Sequence, residues 1–186
     1  MPHIPVSEKL PGIRGLFAFR PETAGPLMGL AEALLVADSP LTRAERETIA
    51  AYVSRRNECR FCMESHAAAA RALLGEASEV VDEVLAAPDD PPVAGKMKAL
   101  LAIAAKVQRG GRIVTEEDVA AARAEGAVDR DIHDTVLIAA AFSMFNRYVD
   151  GLAALTPTDP AMYAEMGKRM AEGGYAPRLD AIIASR

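Results

Sequence analysis

Hydrophobic and polar residues follow a helical period along most of the 186-residue chain. The clearest segment is 93–108, in which apolar residues recur every three or four positions: Met97, Leu100, Leu101, Ala104 and Val107. In the segment 129–155 apolar residues nearly encircle the predicted helix, so we expect this helix to be central and buried. No segment shows the two-residue alternation of a strand, and the pattern therefore predicts an all-α fold.

Helix boundaries follow from capping residues. Thr42 followed by Glu45 is a capping-box pattern that predicts a helix start, and Gly75 is the residue type that ends helices. Asn57 predicts a break between two helices. Together these signals predict about seven to eight helices: 22–36, 42–55, 59–74, 78–86, 93–108, 115–126, 129–155 and one after Pro160.

Residues 1–21 differ from the rest of the chain because they are rich in proline and glycine. We expect this segment to be an extended N-terminal arm, lying on the domain or on a partner subunit. The remainder, 22–186, contains no linker-like stretch and is predicted to be a single helical domain.

Composition and charge limit the classes of function that we expect for this chain. The net charge is −5 and Lys and Arg form no block, so the charge gives no reason to expect a nucleic-acid partner. No segment holds the roughly 18 apolar residues that a membrane span needs, and the N-terminus lacks the pattern of a secretory signal. We therefore expect a cytoplasmic protein without membrane attachment. Its two cysteines stand three residues apart, which in a reducing compartment indicates redox chemistry or metal binding.

The candidate site consists of Cys59, Cys62, His66 and Glu47. On a helix, Cys62 and His66 are displaced from Cys59 by about 300° and 340°, so all three share one face. His66 is placed to take a proton from Cys62, and Glu47 on the preceding helix could orient the imidazole. Cys59 falls in the first turn of the helix that follows the Asn57 break, where the partial positive charge of the helix N-terminus favours a thiolate.

Two other interpretations of the same residues stay open. Cys59, Cys62 and His66 provide three zinc ligands, with Glu47 or water as the fourth, although structural zinc sites usually draw a second ligand pair from elsewhere in the chain. Alternatively, the cysteines pack in the core, since Cys is among the most buried residue types. Packing alone does not predict a histidine on the same helical face.

The pattern Glu, eleven residues, Cys, two residues, Cys, three residues, His resembles the active-site signature of alkylhydroperoxidase D-like proteins of the carboxymuconolactone decarboxylase superfamily. The resemblance is strongest over 42–75 and extends over about 20–170; the arm and length are similar to the peroxidase-related subgroup. It implies a helical bundle that forms homo-oligomers and needs no metal or organic cofactor. It also implies that Cys62 attacks the peroxide, that Cys59 completes a disulfide, and that His66 and Glu47 relay protons.

One position departs from that signature. The best-known members carry a second histidine immediately before the second cysteine, where this chain has Phe61. We expect the substitution to weaken the relay. The helix dipole favours Cys59 as the more acidic thiol, whereas the resemblance gives peroxide attack to Cys62; the prediction follows the resemblance. Lactone decarboxylation is ranked low because the superfamily's decarboxylases lack the Cys pair, and His3 and His133 do not form an acid–base set.

The sequence therefore predicts an antioxidant thiol peroxidase that reduces alkyl hydroperoxides through a Cys59–Cys62 redox pair. An external dithiol or protein reductant would recycle the pair. The alternatives are a general disulfide oxidoreductase, or a zinc-binding or oligomeric scaffold without peroxidase activity.

Overall fold

The structure is a computed structural model that describes residues 1–7, 9–93 and 95–175. These residues form nine α-helices: α1 (Ile13–Phe19), α2 (Pro21–Leu35), α3 (Arg43–Arg56), α4 (Arg60–Leu74), α5 (Glu79–Ala86), α6 (Gly95–Arg109), α7 (Glu116–Ala124), α8 (Asp129–Gly151) and α9 (Pro160–Gly173). Two 3₁₀ turns lie at Gly75–Ala77 and Gly111–Ile113, and the described residues contain no strand. The predicted all-α fold is confirmed.

The extra helix relative to the expected count lies inside the predicted arm. Residues 13–19 form α1, which buries Leu16 and Phe17, so the segment 1–21 is not extended throughout. Pro21 does not interrupt the chain but occupies the first turn of α2. Proline is favourable there because its missing N–H has no intrahelical partner to lose. The division into arm and domain at residue 22 stays a prediction.

Capping explains why several predicted boundaries are close to the observed ones. The Thr42 side chain accepts from the Glu45 amide while the Glu45 carboxylate accepts from the Thr42 amide at 2.7 Å, which completes the predicted capping box. Helix α4 ends at Gly75, as expected. Helix α8 is shorter than predicted: it ends at Gly151, and the chain turns at Ala153, whose φ is 48°.

The core lies between α2, α3, α6 and α8. Helix α3 packs most extensively against α4, and α4 packs in turn against α9. Small residues allow the second contact: a Cβ on Gly167 of α9 would lie 2.4 Å from the backbone of Ala68 in α4. This close approach brings the end of α9 towards α3 and α4, which carry the predicted site. No helix in the described part of the chain combines the length and apolar character needed to cross a bilayer.

Candidate active site

The turn between α3 and α4 fixes where the first cysteine lies. The Glu58 amide donates to the Arg55 carbonyl (3.1 Å) and the Cys59 amide to the Ser54 carbonyl (3.0 Å). These two bonds form a Schellman motif, which requires a left-handed residue between them; Glu58 has a φ of 60°. Cys59 is therefore the N-cap of α4, and not a member of its first turn as predicted.

Both cysteines are buried free thiols. The pKa of Cys59 is raised, first by a hydrogen bond with the Cys62 sulfur, then by burial and by the negative charges of Cys62 and Asp150. These contacts act on the Cys59 pKa in the opposite direction to the helix dipole, and which of the two thiols is the more acidic stays a prediction.

A second group connects α4 to α3. His66 stands one helical turn after Cys62, and its Nδ1 lies 2.7 Å from the Oε2 of Glu47. The Glu47 side chain is fully buried, yet its carboxylate is satisfied on both oxygens. An ionised carboxylate only accepts hydrogen bonds, so Nδ1 donates and Nε2 is the ring nitrogen that can take up a proton.

Tyr175 is a member of this group that sequence reasoning missed. Its hydroxyl donates to the Oε1 of Glu47 at 2.6 Å and lies 3.3 Å from the Nδ1 of His66. Helix α9 is followed by its C-cap Gly174, whose φ of 64° turns the chain, and the Tyr175 amide then donates to Glu32 at 2.6 Å. No local pattern marks Tyr175, because it meets His66 from 109 residues away.

An apolar cavity of about 70 Å³ adjoins Cys62 and His66. The rest of its wall is mainly aromatic and aliphatic, and includes Phe17, Leu27, Met28, Phe61, Phe142 and Phe145. The edge of the His66 ring packs against Phe142 with centroids 4.5 Å apart, and Tyr175 also lines the cavity. Phe61, the position at which the chain departs from the expected signature, thus contributes an apolar wall and no proton-transfer group.

A separate, partly buried polar cluster occupies the C-terminal end of α3. The Asn57 side-chain amide donates to the Oδ1 of Asn146 (2.8 Å), Asn146 donates to the Ser54 hydroxyl (3.0 Å), and Gln108 donates to the Oδ1 of Asn57 (2.8 Å). These bonds join α3 to α6 and α8 directly before the turn that carries Cys59. Asn146 is therefore part of a helix contact and does not line the cavity beside Cys62.

The remaining candidate groups lie elsewhere. His3 is exposed, and His133 is exposed and pairs with Asp134 at 3.0 Å. Over the described ranges, no group of three or more His, Cys, Asp or Glu side chains is arranged to hold a metal ion.

The site and fold define a class: all-helical proteins with a buried Cys–x–x–Cys pair and a histidine–carboxylate pair on adjacent helices. Residues 21–106 match the model of the carboxymuconolactone decarboxylase family. The predicted resemblance to that superfamily and to its alkylhydroperoxidase D-like, peroxidase-related proteins is confirmed. Members of the family are enzymes.

Two solved structures are similar over most of their length. An uncharacterized peroxidase-related protein from Silicibacter sp. TM1040 is 28% identical, with a TM-score of 0.74, over 83% of this chain and 78% of its own. A second such protein, from Ralstonia eutropha JMP134 and described as an alkylhydroperoxidase AhpD core, is 25% identical, with a TM-score of 0.75, over 90% of this chain and 96% of its own. No curated protein matches this chain.

Proposed function

We propose that this protein is a thiol peroxidase that reduces organic hydroperoxides through Cys62 and Cys59. The observation that supports it most directly is the hydrogen-bonded group of Glu47, His66 and Tyr175, which adjoins the same apolar cavity as Cys62. A buried carboxylate that holds an imidazole next to a thiol is the arrangement that a thiol nucleophile needs for proton removal. The peroxidase-related names of two similar structures agree with this chemistry.

In the first step the Nε2 of His66 takes the Cys62 proton, and the thiolate attacks the terminal oxygen of the hydroperoxide. The O–O bond breaks, an S–O bond forms, and the alkoxide takes the proton from His66 to leave as an alcohol. Sulfur is oxidised to a sulfenic acid while the peroxide is reduced. Glu47 stabilises the imidazolium that exists between the two proton transfers, and Tyr175 holds the second oxygen of Glu47 in place.

In the second step the Cys59 thiol attacks the Cys62 sulfenic acid. A disulfide forms, and hydroxide leaves with the Cys59 proton as water. The raised pKa of Cys59 suits this order, because Cys59 keeps its proton until the sulfenic acid has formed. An external dithiol then reduces the disulfide and is itself oxidised, which returns both thiols. The identity of that reductant and assembly into homo-oligomers stay predictions.

A thiol count by mass spectrometry tests this proposal. Metal-free protein is treated with one equivalent of cumene hydroperoxide, and both thiols should be lost with a mass decrease of two hydrogens that a dithiol reverses. Metal content is measured on the protein as purified. Unchanged thiols would overturn the proposal. If the purified protein then contained zinc, the cysteines would form a metal site. If it instead reduced protein disulfides rapidly, it would be a general disulfide oxidoreductase.

Two matched variants assign the cysteines. Cys62→Ser should abolish peroxide consumption. Cys59→Ser should consume one equivalent and accumulate a sulfenic acid on Cys62, which dimedone traps. Full turnover by Cys62→Ser would contradict the assignment of the nucleophile.

A further inference from the structure

A second cavity adjoins the one beside Cys62 and differs from it in charge. It has a volume of about 110 Å³ and shares Phe17, Phe61, His66 and Tyr175 with the first. Its remaining wall brings in two cations, Arg14 from α1 and Arg169 from α9. The pair of cavities thus joins a thiol, an apolar wall and a cationic end.

Arg14 carries a charge that the described part of the protein does not balance. It is half-buried, and no carboxylate among the described residues pairs with it; the charged side chain that acts on its pKa is Arg169. Burial, followed by the repulsion from Arg169, lowers the pKa of Arg14. A guanidinium nevertheless stays protonated, so the site holds a positive charge that an incoming anion would stabilise.

The other polar groups of this wall have assigned partners within the protein. The Ser65 hydroxyl donates to the Phe61 carbonyl at 2.7 Å, and Tyr175 and His66 both contact Glu47. Arg169 contacts its own helix through Glu165, whose Oε1 lies 3.5 Å away, and adds a second positive charge to the wall. Arg14 is therefore the group best placed to receive an anion from the cavity.

We infer, resting on the proposed function, that the substrate is an organic hydroperoxide that also bears a carboxylate, bound by Arg14 beside Arg169. Its apolar body lies against Phe17 and Phe61, which places its peroxide group at Cys62. A cavity of about 150 Å³ holds benzene, and the two adjoining cavities, of about 70 and 110 Å³, together provide space of that order. Planar pairing between an arginine and a carboxylate fixes orientation as well as affinity. It therefore favours binding with the carboxylate end of the substrate at the cationic wall.

A matched pair of substrates tests the inference: cumene hydroperoxide and its 4-carboxylate derivative, which differ in one negative charge. The wild type should show the higher kcat/KM for the carboxylate, mainly through a lower KM. In Arg14→Gln the ratio of the two kcat/KM values should fall about tenfold, as expected for loss of a charge-assisted contact. Arg169→Gln should lower the ratio less, and Arg14→Lys should retain part of it.

Arg112→Gln is the matched control, because Arg112 is exposed and lines neither cavity, and its loss removes the same charge. Its ratio should equal that of the wild type. Thermal unfolding of each variant verifies that it is folded. If Arg14→Gln does not fold, the ratio measured for Arg169→Gln decides the test. Equal ratios in the wild type and in a folded Arg14→Gln variant would overturn the inference and leave the proposed peroxidase intact.

Binding of 4-isopropylbenzoate, which has no peroxide group, gives a readout that does not depend on catalysis. Calorimetry should show binding that Arg14→Gln weakens about tenfold, whereas neutral 4-isopropylbenzamide should bind the two proteins equally. Arg14-dependent binding without any peroxide turnover would support the anion site and overturn the proposed reaction. Absence of binding by the wild type would overturn the inference.

Discussion

Helix α3 takes part in two partly buried polar clusters, of which only one contains groups suited to proton transfer. The acid–base cluster comprises Glu47, His66 and Tyr175; the amide cluster comprises Ser54, Asn57, Gln108 and Asn146. Both join α3 to other parts of the chain through hydrogen bonds of 2.6 to 3.0 Å. Only the acid–base cluster contains groups that gain or lose protons, and only it lines the cavity beside Cys62. Burial and hydrogen bonding alone therefore do not identify a reactive site.

Of the variants in the two clusters, Glu47→Gln should have the largest effect. Glutamine keeps the shape of the side chain but removes the charge that stabilises the imidazolium. We expect kcat/KM for cumene hydroperoxide to fall about a hundredfold, within the usual range for a proton-transfer partner. Glu83→Gln, on the exposed face of α5, is the matched control and should behave as the wild type. Near-normal activity in a folded Glu47→Gln variant would exclude Glu47 from the relay.

Asn146→Ala tests the amide cluster. It leaves the buried Ser54 hydroxyl and the half-buried Asn57 side-chain amide without their Asn146 partner. The free energy of unfolding should fall by about 2 kcal/mol, the usual penalty for buried groups of this kind. Denaturant unfolding measures the loss. Activity per folded molecule should stay within a few-fold of the wild type; a loss as large as that of Glu47→Gln would assign the amide cluster to the chemistry.

These clusters also mark what the sequence could and could not predict. The Thr42 capping box and the Gly75 terminus depend on neighbouring residues, so the ends of α3 and α4 followed from local rules. The pairing of Glu47 with His66, 19 residues apart on two helices, was expected from the resemblance to a family signature and not from helical periodicity. Tyr175 was not expected, because its position depends on how closely α9 packs on α4, and no pattern along the chain encodes that packing.

The position of Cys59 is a second feature that local sequence rules did not predict. The break at Asn57 was predicted, but the two-residue extension of the turn through Glu58 was not, since a glutamate with positive φ has no sequence signal. That extension moved Cys59 from the first turn of α4 to its N-cap. The sign of its pKa shift then followed from contacts with Cys62 and Asp150, which local rules do not include.

Tyr175→Phe tests what the Tyr175 hydroxyl contributes to the acid–base cluster. The variant keeps the ring that lines the cavity but removes the hydrogen bond to Glu47. We expect kcat/KM to fall about tenfold. Because the hydroxyl stabilises the charged carboxylate, its loss should move the acidic limb of the pH–rate profile to higher pH. Tyr148→Phe, outside the cluster, should leave that profile in place. A uniform loss of activity at every pH would instead indicate that Tyr175 acts only in packing.

Glu58→Gly has the smallest expected effect and concerns the turn that joins the amide cluster to Cys59. A non-glycine residue in the left-handed region costs about 1–2 kcal/mol. Glycine removes that strain but adds roughly 0.5–1 kcal/mol of backbone entropy loss on folding. The free energy of unfolding should therefore rise by about 0.5–1 kcal/mol, measured by denaturant titration. Glu83→Gly, inside α5, should instead lower it by about 1 kcal/mol. If Glu58→Gly were also destabilising, the Glu58 side chain would contribute to the stability of the turn. The amide cluster would then extend to Glu58, the residue directly before Cys59.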